Sequence, residues 1–158
     1  MQEIFIKLEG IKGECKQSKH QEWIDVLHFN YKVTQSAALA TGGGGGVGKA
    51  DFRPLTFTHY IDIASPNLLK YCALGKHIPT VVLSACKAGG GSQEFLKITL
   101  HDALIVDVGP DGSSGGQTTE HVSLAYSRID VAIKEQKTTG DLGAEVCGNW
   151  NVKENKEC

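Results

Sequence analysis

The sequence lacks the features that would place the chain at a membrane, on nucleic acid or around a metal. It has no uninterrupted apolar run long enough for a secretory signal or a membrane span. Its formal net charge of −2 offers no basic stripe for a phosphate backbone. No two cysteines have the CxxC spacing typical of zinc sites. We therefore expect no membrane or nucleic-acid partner, no metal and no cofactor.

The cysteines also argue against a disulfide framework. They are odd in number, at Cys15, Cys72, Cys86, Cys147 and Cys158, so they cannot all pair within one chain. We predict reduced, structural thiols. The first seven residues alternate apolar and polar side chains and do not resemble a signal peptide. Synthesis and folding are thus expected in the cytosol, and any export would need a dedicated machine.

What the sequence does contain is alternation with a period of two. At 158 residues the chain fits a single domain, 1–158. Apolar residues recur at every second position, which indicates strands with one face on a core, in segments 4–8, 23–31, 55–62, 81–87, 94–108, 120–134 and 144–152. In 120–134 the apolar positions change from even to odd near Ser127 and Arg128. Such a phase slip predicts a bulge or corner that curls a sheet.

One segment favours a helix, over about 66–74. Ser65 is a preferred N-cap residue, Pro66 suits the first helical position, and Gly75 can end the helix. Leu68, Leu69 and Cys72 are spaced as one apolar face. Many strands and a single short helix predict a mainly β fold, a barrel or a sandwich.

A glycine-rich stretch, Gly43–Lys49, fits most of the P-loop pattern that holds nucleotide phosphates. The pattern fails at Ala50, where a serine or threonine would bind magnesium, and residues 51–54 begin a strand where a helix is needed. The simpler interpretation is a loop without side chains to bury, which orders when something packs on it.

The catalytic candidates have simpler structural explanations. The histidines lack HxH or HxxxH spacing, so surface positions are the default for His20, His28, His59, His77, His101 and His121. Cys86 lies in a strand without an elbow motif, so a buried cysteine is favoured over a nucleophile. Asp62 precedes the predicted helix, where a carboxylate is expected to cap it and not to act as a catalytic acid.

The order of several motifs resembles one known family, the haemolysin-coregulated protein (Hcp) of bacterial type VI secretion. The resemblance rests on Gly13-Glu14, His20, the strand 24–27, the glycine loop, the segment 57–62, Ser65-Pro66-Asn67-Leu68, Gly75-Lys76-His77, Lys87-Ala88-Gly89-Gly90, the strand 120–133, Gly148-Asn149-Trp150-Asn151 and Asn155. It covers nearly the whole chain in order. The extra cysteines and the composition of the tail depart from the family pattern.

The resemblance implies a β-barrel of two packed antiparallel sheets with one short flanking helix. It implies no enzyme but a structural subunit, a homohexamer whose rings stack into a hollow tube. The implied partners are further copies of the chain, the type VI sheath and tip spike proteins, and small effector proteins received in the ring lumen. The implied location is the bacterial cytoplasm, followed by secretion.

Three groups of residues are predicted to carry this role. The loop Ala40–Ala50 is long and poor in core residues, so we predict ring stacking through Gly42, Gly43, Gly44, Gly45, Gly46, Val47, Gly48 and Lys49. The polar half of the strand 23–31 predicts lumen-facing, cargo-contacting side chains at His28, Asn30 and Lys32. Ser65 and Pro66 are predicted to cap the helix.

Two other classes of function remain open from the sequence. A closed barrel of this size can hold one small ligand as a monomer. The P-loop-like stretch leaves a phosphohydrolase as a further alternative. Sedimentation distinguishes a ring from a monomer, and nucleotide titration tests the phosphohydrolase.

Overall fold

The computed structural model describes residues 1–37, 47–88 and 91–158. They form ten strands and one helix, which are β1 (Gln2–Leu8), β2 (Ile24–Val26), β3 (His28–Asn30), β4 (Val33–Ala37), β5 (Val47–Phe52), β6 (Leu55–Tyr60), α1 (Ser65–Leu74), β7 (His77–Lys87), β8 (Glu94–Asp111), β9 (Thr119–Gln136) and β10 (Leu142–Asn151). The alternation in the sequence therefore marks most of the strands.

Eight strands form one antiparallel sheet in the order β2-β1-β7-β8-β9-β6-β3, with β10 pairing β9 beside this path. The long strands β8 and β9 pair with each other over almost their full length. One half of β9 also pairs with β6, and the other half pairs with β10. β9 thus changes neighbours where the sequence shows its phase slip.

One row of positions crosses three strands without forming pairs of its own. Pro79, Asp102 and Ser127 occupy this row in β7, β8 and β9, and the pairing keeps the same register on both sides of it. Asp102 has a positive φ of 51°. The Ser127 hydroxyl donates to the Asp102 carboxylate at 2.8 Å. The buried positions of β9 change parity across this row, as the phase slip in the sequence predicts, while the register between β8 and β9 shifts further along β8, between Ile105 and Asp107.

The main core fills the concave side of this bent sheet. Its fully buried side chains come from six strands and the helix, and include Ile6, Leu8, Leu55, Phe57, Leu68, Leu83, Ile98, Leu100 and Leu124. In β9 the buried positions are Val122, Leu124 and Tyr126, and then Ile129. The change of parity keeps apolar side chains on one face on both sides of this row.

A smaller cluster covers the opposite face of β1 and β7. The segment 11–23 crosses this face and buries Cys15 against Phe5 and Cys86, with Trp23 packed at the edge. Gly13 is required there, because a Cβ at this position would lie 2.4 Å from the Trp23 carbonyl oxygen. His20 stacks on Phe5 at 4.3 Å between ring centroids. β1 and β7 are therefore covered on both faces.

The helix begins one residue before its predicted start and is capped differently. Ala64 occupies the N-cap and makes no side-chain capping bond, so the predicted cap role of Ser65 is wrong. The Ser65 hydroxyl accepts a bond from the Asp62 N–H, while Asp62 Oδ1 accepts from the Ala64 N–H at 2.8 Å. The capping carboxylate therefore belongs to Asp62. Pro66 lies in the first turn as predicted, and Gly75 ends the helix with a φ of 62°.

The mainly β architecture with one short helix is confirmed, with one difference from a closed barrel. β2 and β3, at the two ends of the sheet path, do not pair with each other. They follow one another along the chain, separated by Leu27, so they lie end to end and not side by side. The Leu27 N–H instead bonds the Thr58 carbonyl of β6. The sheet is therefore strongly bent but not closed by strand pairing.

Candidate functional site

A β-hairpin, β4 with β5, forms a second sheet of two strands. Within the described residues it pairs with no strand of the main sheet. The side chains at positions 33–36 are exposed. An isolated two-stranded hairpin is at best marginally stable in water. This hairpin is therefore a surface that gains stability when another surface covers it.

The base of the hairpin is fixed by aromatic contacts. Phe52, the last residue of β5, stacks on Trp150 of β10 at 6.2 Å and meets Tyr126 of β9 edge to face at 6.4 Å. The Arg53 N–H bonds the Lys32 carbonyl where the two strands meet. Aromatic pairs in these geometries stabilise by about 0.5–1.5 kcal/mol each beyond the burial of their area. The hairpin thus has an anchored base and an exposed first strand.

The predicted stacking stretch falls partly on this hairpin. Residues 42–46 lie outside the described residues. Gly48 and Lys49, predicted as loop, lie in β5, because this part of the chain pairs with β4. Gly48 is needed there, since a Cβ would meet the Ser36 hydroxyl oxygen at 2.3 Å. Val47 begins the strand.

The three predicted lumen residues lie on one exposed segment. His28 and Asn30 are the exposed ends of β3, on either side of Phe29, which packs against the core. Lys32 follows and is also exposed. The alternation predicted here is confirmed, while the direction of these side chains toward a lumen stays a prediction.

An apolar groove of about 520 Å³ runs between α1 and the ends of β8 and β9. Its walls include Ile61, Leu69, Val108 and Pro110, and its floor includes two carboxylates. Leu69 is 63% exposed, and the apolar side chains of Tyr60, Ile61, Ile63 and Leu74, in α1 and in the segment that leads to it, are also exposed. Exposed apolar surface of this kind marks contact sites between proteins. We call the exposed residues Tyr60, Ile61, Ile63, Leu69 and Leu74, together with the groove walls Val108 and Pro110, the helix patch.

Beneath the helix patch lies a buried histidine between carboxylates. His59 is fully buried, and its Nε2 lies 2.9 Å from Glu120 Oε1, which is also buried. Its Nδ1 has no hydrogen-bond partner within residues 1–37, 47–88 and 91–158, and Asp62 Oδ2 lies 3.9 Å away. The expectation that the histidines lie on the surface is wrong for His59 and His20. Both lie on packed faces of the sheet and make hydrogen bonds there.

Burial raises the pKa of the Asp62 carboxyl, and the nearby charges of Glu14 and Glu120 act in the same direction. The hydrogen bond from Ala64 and the proximity of His59 act in the opposite direction. Asp62 therefore holds its proton more tightly in the folded chain than in the unfolded chain. Its ionisation costs stability, and this cost is absent at low pH and develops as the pH rises through the folded pKa.

We predict that Asp62→Asn gains stability over the parent protein as the pH rises from 4 to 7. The asparagine cannot ionise, yet its Oδ1 can still accept the Ala64 N–H. Urea unfolding at several pH values, at one protein concentration, measures the difference. A difference that stays flat or falls with pH would contradict the assignment. Glu154→Gln, at an exposed acidic residue paired with Lys156, is the control and should give no such trend.

A second exposed apolar surface lies at the other end of β8 and β9. Ile133 of β9 is paired with Val146 of β10 on one side and Leu96 of β8 on the other. Ile133 is 49% exposed and Val146 is 73% exposed. Among the described strands β10 pairs only with β9, so the backbone groups on the outer edge of β10 pair with no other strand in the middle of the strand. Free edges and exposed apolar rows need covering by another surface. We call these residues the edge patch.

The catalytic interpretations gain no support from the geometry. Cys86 is fully buried, and its sulfur faces the Ser84 hydroxyl at 3.5 Å. Each of the five cysteines is a free thiol. In the described ranges no three His, Cys, Asp or Glu side chains are arranged to hold a metal ion. No helix in the same ranges is long and apolar enough to cross a membrane.

Sequence reasoning missed Glu120 and Ser84. Both lie at buried positions of long strands. For Glu120, the parity of the neighbouring apolar residues was a usable signal. Glu120 shares the parity of Val122 and Leu124, so its burial could have been inferred. Ser84 lies on the face covered by the segment 11–23. Nothing in the sequence showed that this segment would cross the sheet.

Comparisons with known proteins agree with the fold. Residues 5–133 match the family model described as "Type VI secretion system effector, Hcp". The chain is 42% identical to Protein hcp1 of Pseudomonas aeruginosa over 156 residues, covering 97% of this chain and 96% of that protein. It also superposes on the crystal structure of Hcp1 from Salmonella typhimurium, with a TM-score of 0.84, 37% identity and 99% of each chain covered.

A second solved structure is closer in shape. It is described as that of a type six secretion system protein, and it matches with a TM-score of 0.95 and 26% identity over the whole of both chains. The family model spans most of β1 to β9 with the helix, and the similar proteins are matched over nearly the whole chain. This chain therefore belongs to the Hcp family of type VI secretion proteins.

Proposed function

We propose that this chain is a structural subunit of the type VI secretion tube, in which six copies form a ring and rings stack. The observation that carries the proposal is the pair of exposed apolar surfaces. The helix patch borders Glu120 at the start of β9, whereas the edge patch includes Ile133 near its end. They are separated by roughly 40 Å along the path of β9. Two unlike patches at the two ends of one strand suit head-to-tail contact, which closes into a ring.

Variants of the two patches test ring closure. We expect Leu69→Glu and Val146→Glu each to prevent hexamers, because each would bury a charge in an apolar contact. A mixture of the two variants retains one intact pair of patches, so it should give dimers but no rings. Sedimentation velocity and negative-stain electron microscopy report both results. Lys70→Gln, next to Leu69 on α1, is the control and should form rings. Rings formed by both glutamate variants would contradict the proposal.

The hairpin β4–β5 is proposed to contact the next ring in a stack. Its exposed first strand and its lack of a partner in the main sheet support this role. Deleting Gly43–Gly46 shortens the connection between β4 and β5. We expect this variant to keep single rings but lose tubes in electron micrographs. Tubes that form undiminished would remove the stacking role.

The lumen is proposed to receive small effector proteins, with His28, Asn30 and Lys32 facing the cargo. Their exposure on one short segment beside the core supports this placement. Asn30→Trp should reduce the retention of an effector co-expressed with the ring, measured by co-purification. Thr138→Trp, in the exposed turn before β10, is the matched control. Equal retention in both variants would move the cargo contact elsewhere. Secretion with the tube and contact with sheath and tip spike proteins belong to the same proposal.

A further inference from the structure

A second cavity lies on the face of the sheet that carries the smaller cluster. It has a volume of about 640 Å³, within the range of pockets that hold small molecules. Lysines from four parts of the chain line it, Lys7 of β1, Lys19 of the segment 11–23, Lys97 of β8 and Lys134 of β9. We call it the lysine pocket.

The positive charge of the lysine pocket is not neutralised within the described part of the chain. None of its four lysines lies within 4 Å of a carboxylate there, whereas Lys12, Lys153 and Lys156 elsewhere all form ion pairs. The carboxylate of Glu94 also lines the pocket. One of its oxygens accepts the Ser84 hydroxyl, and no lysine bonds it. Four lysines and one carboxylate thus line the pocket, while the charge of Glu3 also acts on His20 and Glu145 of β10 lies opposite Lys134, in a chain whose net charge is −2.

The polar and aromatic side chains that also line the pocket add no further charge. The Ser92 hydroxyl oxygen is buried and has no hydrogen-bond partner among the described residues. Burial lowers the pKa of His20, so its ring is neutral at neutral pH. Trp23 packs edge to face on His20 at 4.7 Å and lines the cavity. The charge of the pocket therefore comes from the lysines, held around a recess where the field of like charges is concentrated.

We propose that the lysine pocket binds an anion with several phosphate or carboxylate groups. Lysine ammonium groups act as compact point charges toward such groups, and several around one recess favour a multiply charged ligand over a single one. The Ser92 hydroxyl supplies a donor. A free small polyanion and a cluster of acidic side chains present the same chemistry. Lys97 and Lys134 directly follow Leu96 and Ile133 of the edge patch and lie on the opposite face of the sheet. The proposal does not depend on ring formation.

Binding can be followed through Trp23. The chain has two tryptophans, so Trp150→Phe leaves Trp23 as the sole indole reporter. The probes are sodium tripolyphosphate and a hexaglutamate peptide, titrated at low ionic strength. We expect a saturable change in Trp23 fluorescence that weakens at high salt, where attraction between exposed charges is screened. A response to tripolyphosphate identifies a free polyanion as a ligand, and a response to the peptide alone identifies acidic side chains.

Variants that lose the same number of lysine charges inside and outside the pocket test where the anion binds. In Lys7→Gln/Lys97→Gln/Lys134→Gln we expect the dissociation constant to rise by about tenfold or more, equal to about 1.4 kcal/mol. Lys70→Gln/Lys76→Gln/Lys156→Gln loses the same charge away from the pocket and should change it by less than about twofold. Lys97→Gln alone, with urea unfolding to verify the fold, should give a smaller rise. The absence of a saturable response to both probes, or equal weakening in both triple variants, would overturn the proposal.

Discussion

Replacing Glu120 with alanine is expected to lower the free energy of unfolding by about 1–3 kcal/mol, because it leaves His59 buried without its hydrogen-bond partner. His59 Nε2 would lose the oxygen that now lies at 2.9 Å, and its Nδ1 already has no partner in the described ranges. Water cannot replace Glu120 easily, since the His59 side chain is fully buried. Urea unfolding at one protein concentration measures the loss, because assembly would otherwise add its own stabilisation.

Two further variants distinguish the loss of the hydrogen-bond partner of His59 from the loss of side-chain volume at position 120. Glu120→Gln keeps an oxygen near His59 Nε2 and should cost clearly less than alanine. The double variant His59→Leu/Glu120→Leu removes both polar partners and should recover most of the loss, because an apolar pair leaves no buried group unsatisfied. If the double variant is no more stable than Glu120→Ala, the pair does not account for the effect.

Replacing Phe57 with alanine is expected to cost about 3–5 kcal/mol through loss of buried area and a residual cavity. Phe57 is fully buried in β6 and lies between Phe29 of β3 and Val122 of β9. β6 is paired with β3 on one side and with β9 on the other, and this pairing limits how far the neighbouring side chains can move to fill the space. The midpoint of urea unfolding should fall without a change in its denaturant dependence.

Tyr60→Ala is the matched control for Phe57. Tyr60 lies three residues further along β6 and is 48% exposed. Truncating it removes an aromatic ring from the same strand but leaves no cavity in the core, so the cost should be below about 1 kcal/mol. A loss for Phe57→Ala as small as that for Tyr60→Ala would mean that the core collapses around the missing ring.

The alternation of the sequence predicts much of this fold because each strand has one face on the core. In β9 even the phase slip was visible, since buried parity changes between Tyr126 and Ile129. The buried positions of β8 change parity in the same way, between Leu100 and Ala103. The sequence does not show this change, because apolar residues occupy both odd and even positions after it. The helix was visible from Pro66 and Gly75, whose backbone preferences are local. Local signals thus identified the elements.

What the sequence could not show depends on contacts between distant segments. The N-cap was assigned to Ser65 because serine is a common cap, but Ala64 occupies that position and its N–H bonds the Asp62 carboxylate. The His59 and Glu120 side chains are brought together by pairing of β6 with β9, some 60 positions apart. The lysine pocket likewise collects residues from β1, β8 and β9. Such sites follow from strand order, which alternation does not encode.

The pairing of β1 with β7 has a consequence for synthesis. On the ribosome, β1 emerges about 70 residues before β7. Until then only β2 can pair with it, and the backbone donors and acceptors on its other edge stay open to water and to other nascent chains. Completing the sheet also needs β9, which holds β6 and β10 in place. Long loop closures of this kind slow folding to milliseconds or longer. A crowded polysome is therefore where premature contact between copies has to be avoided.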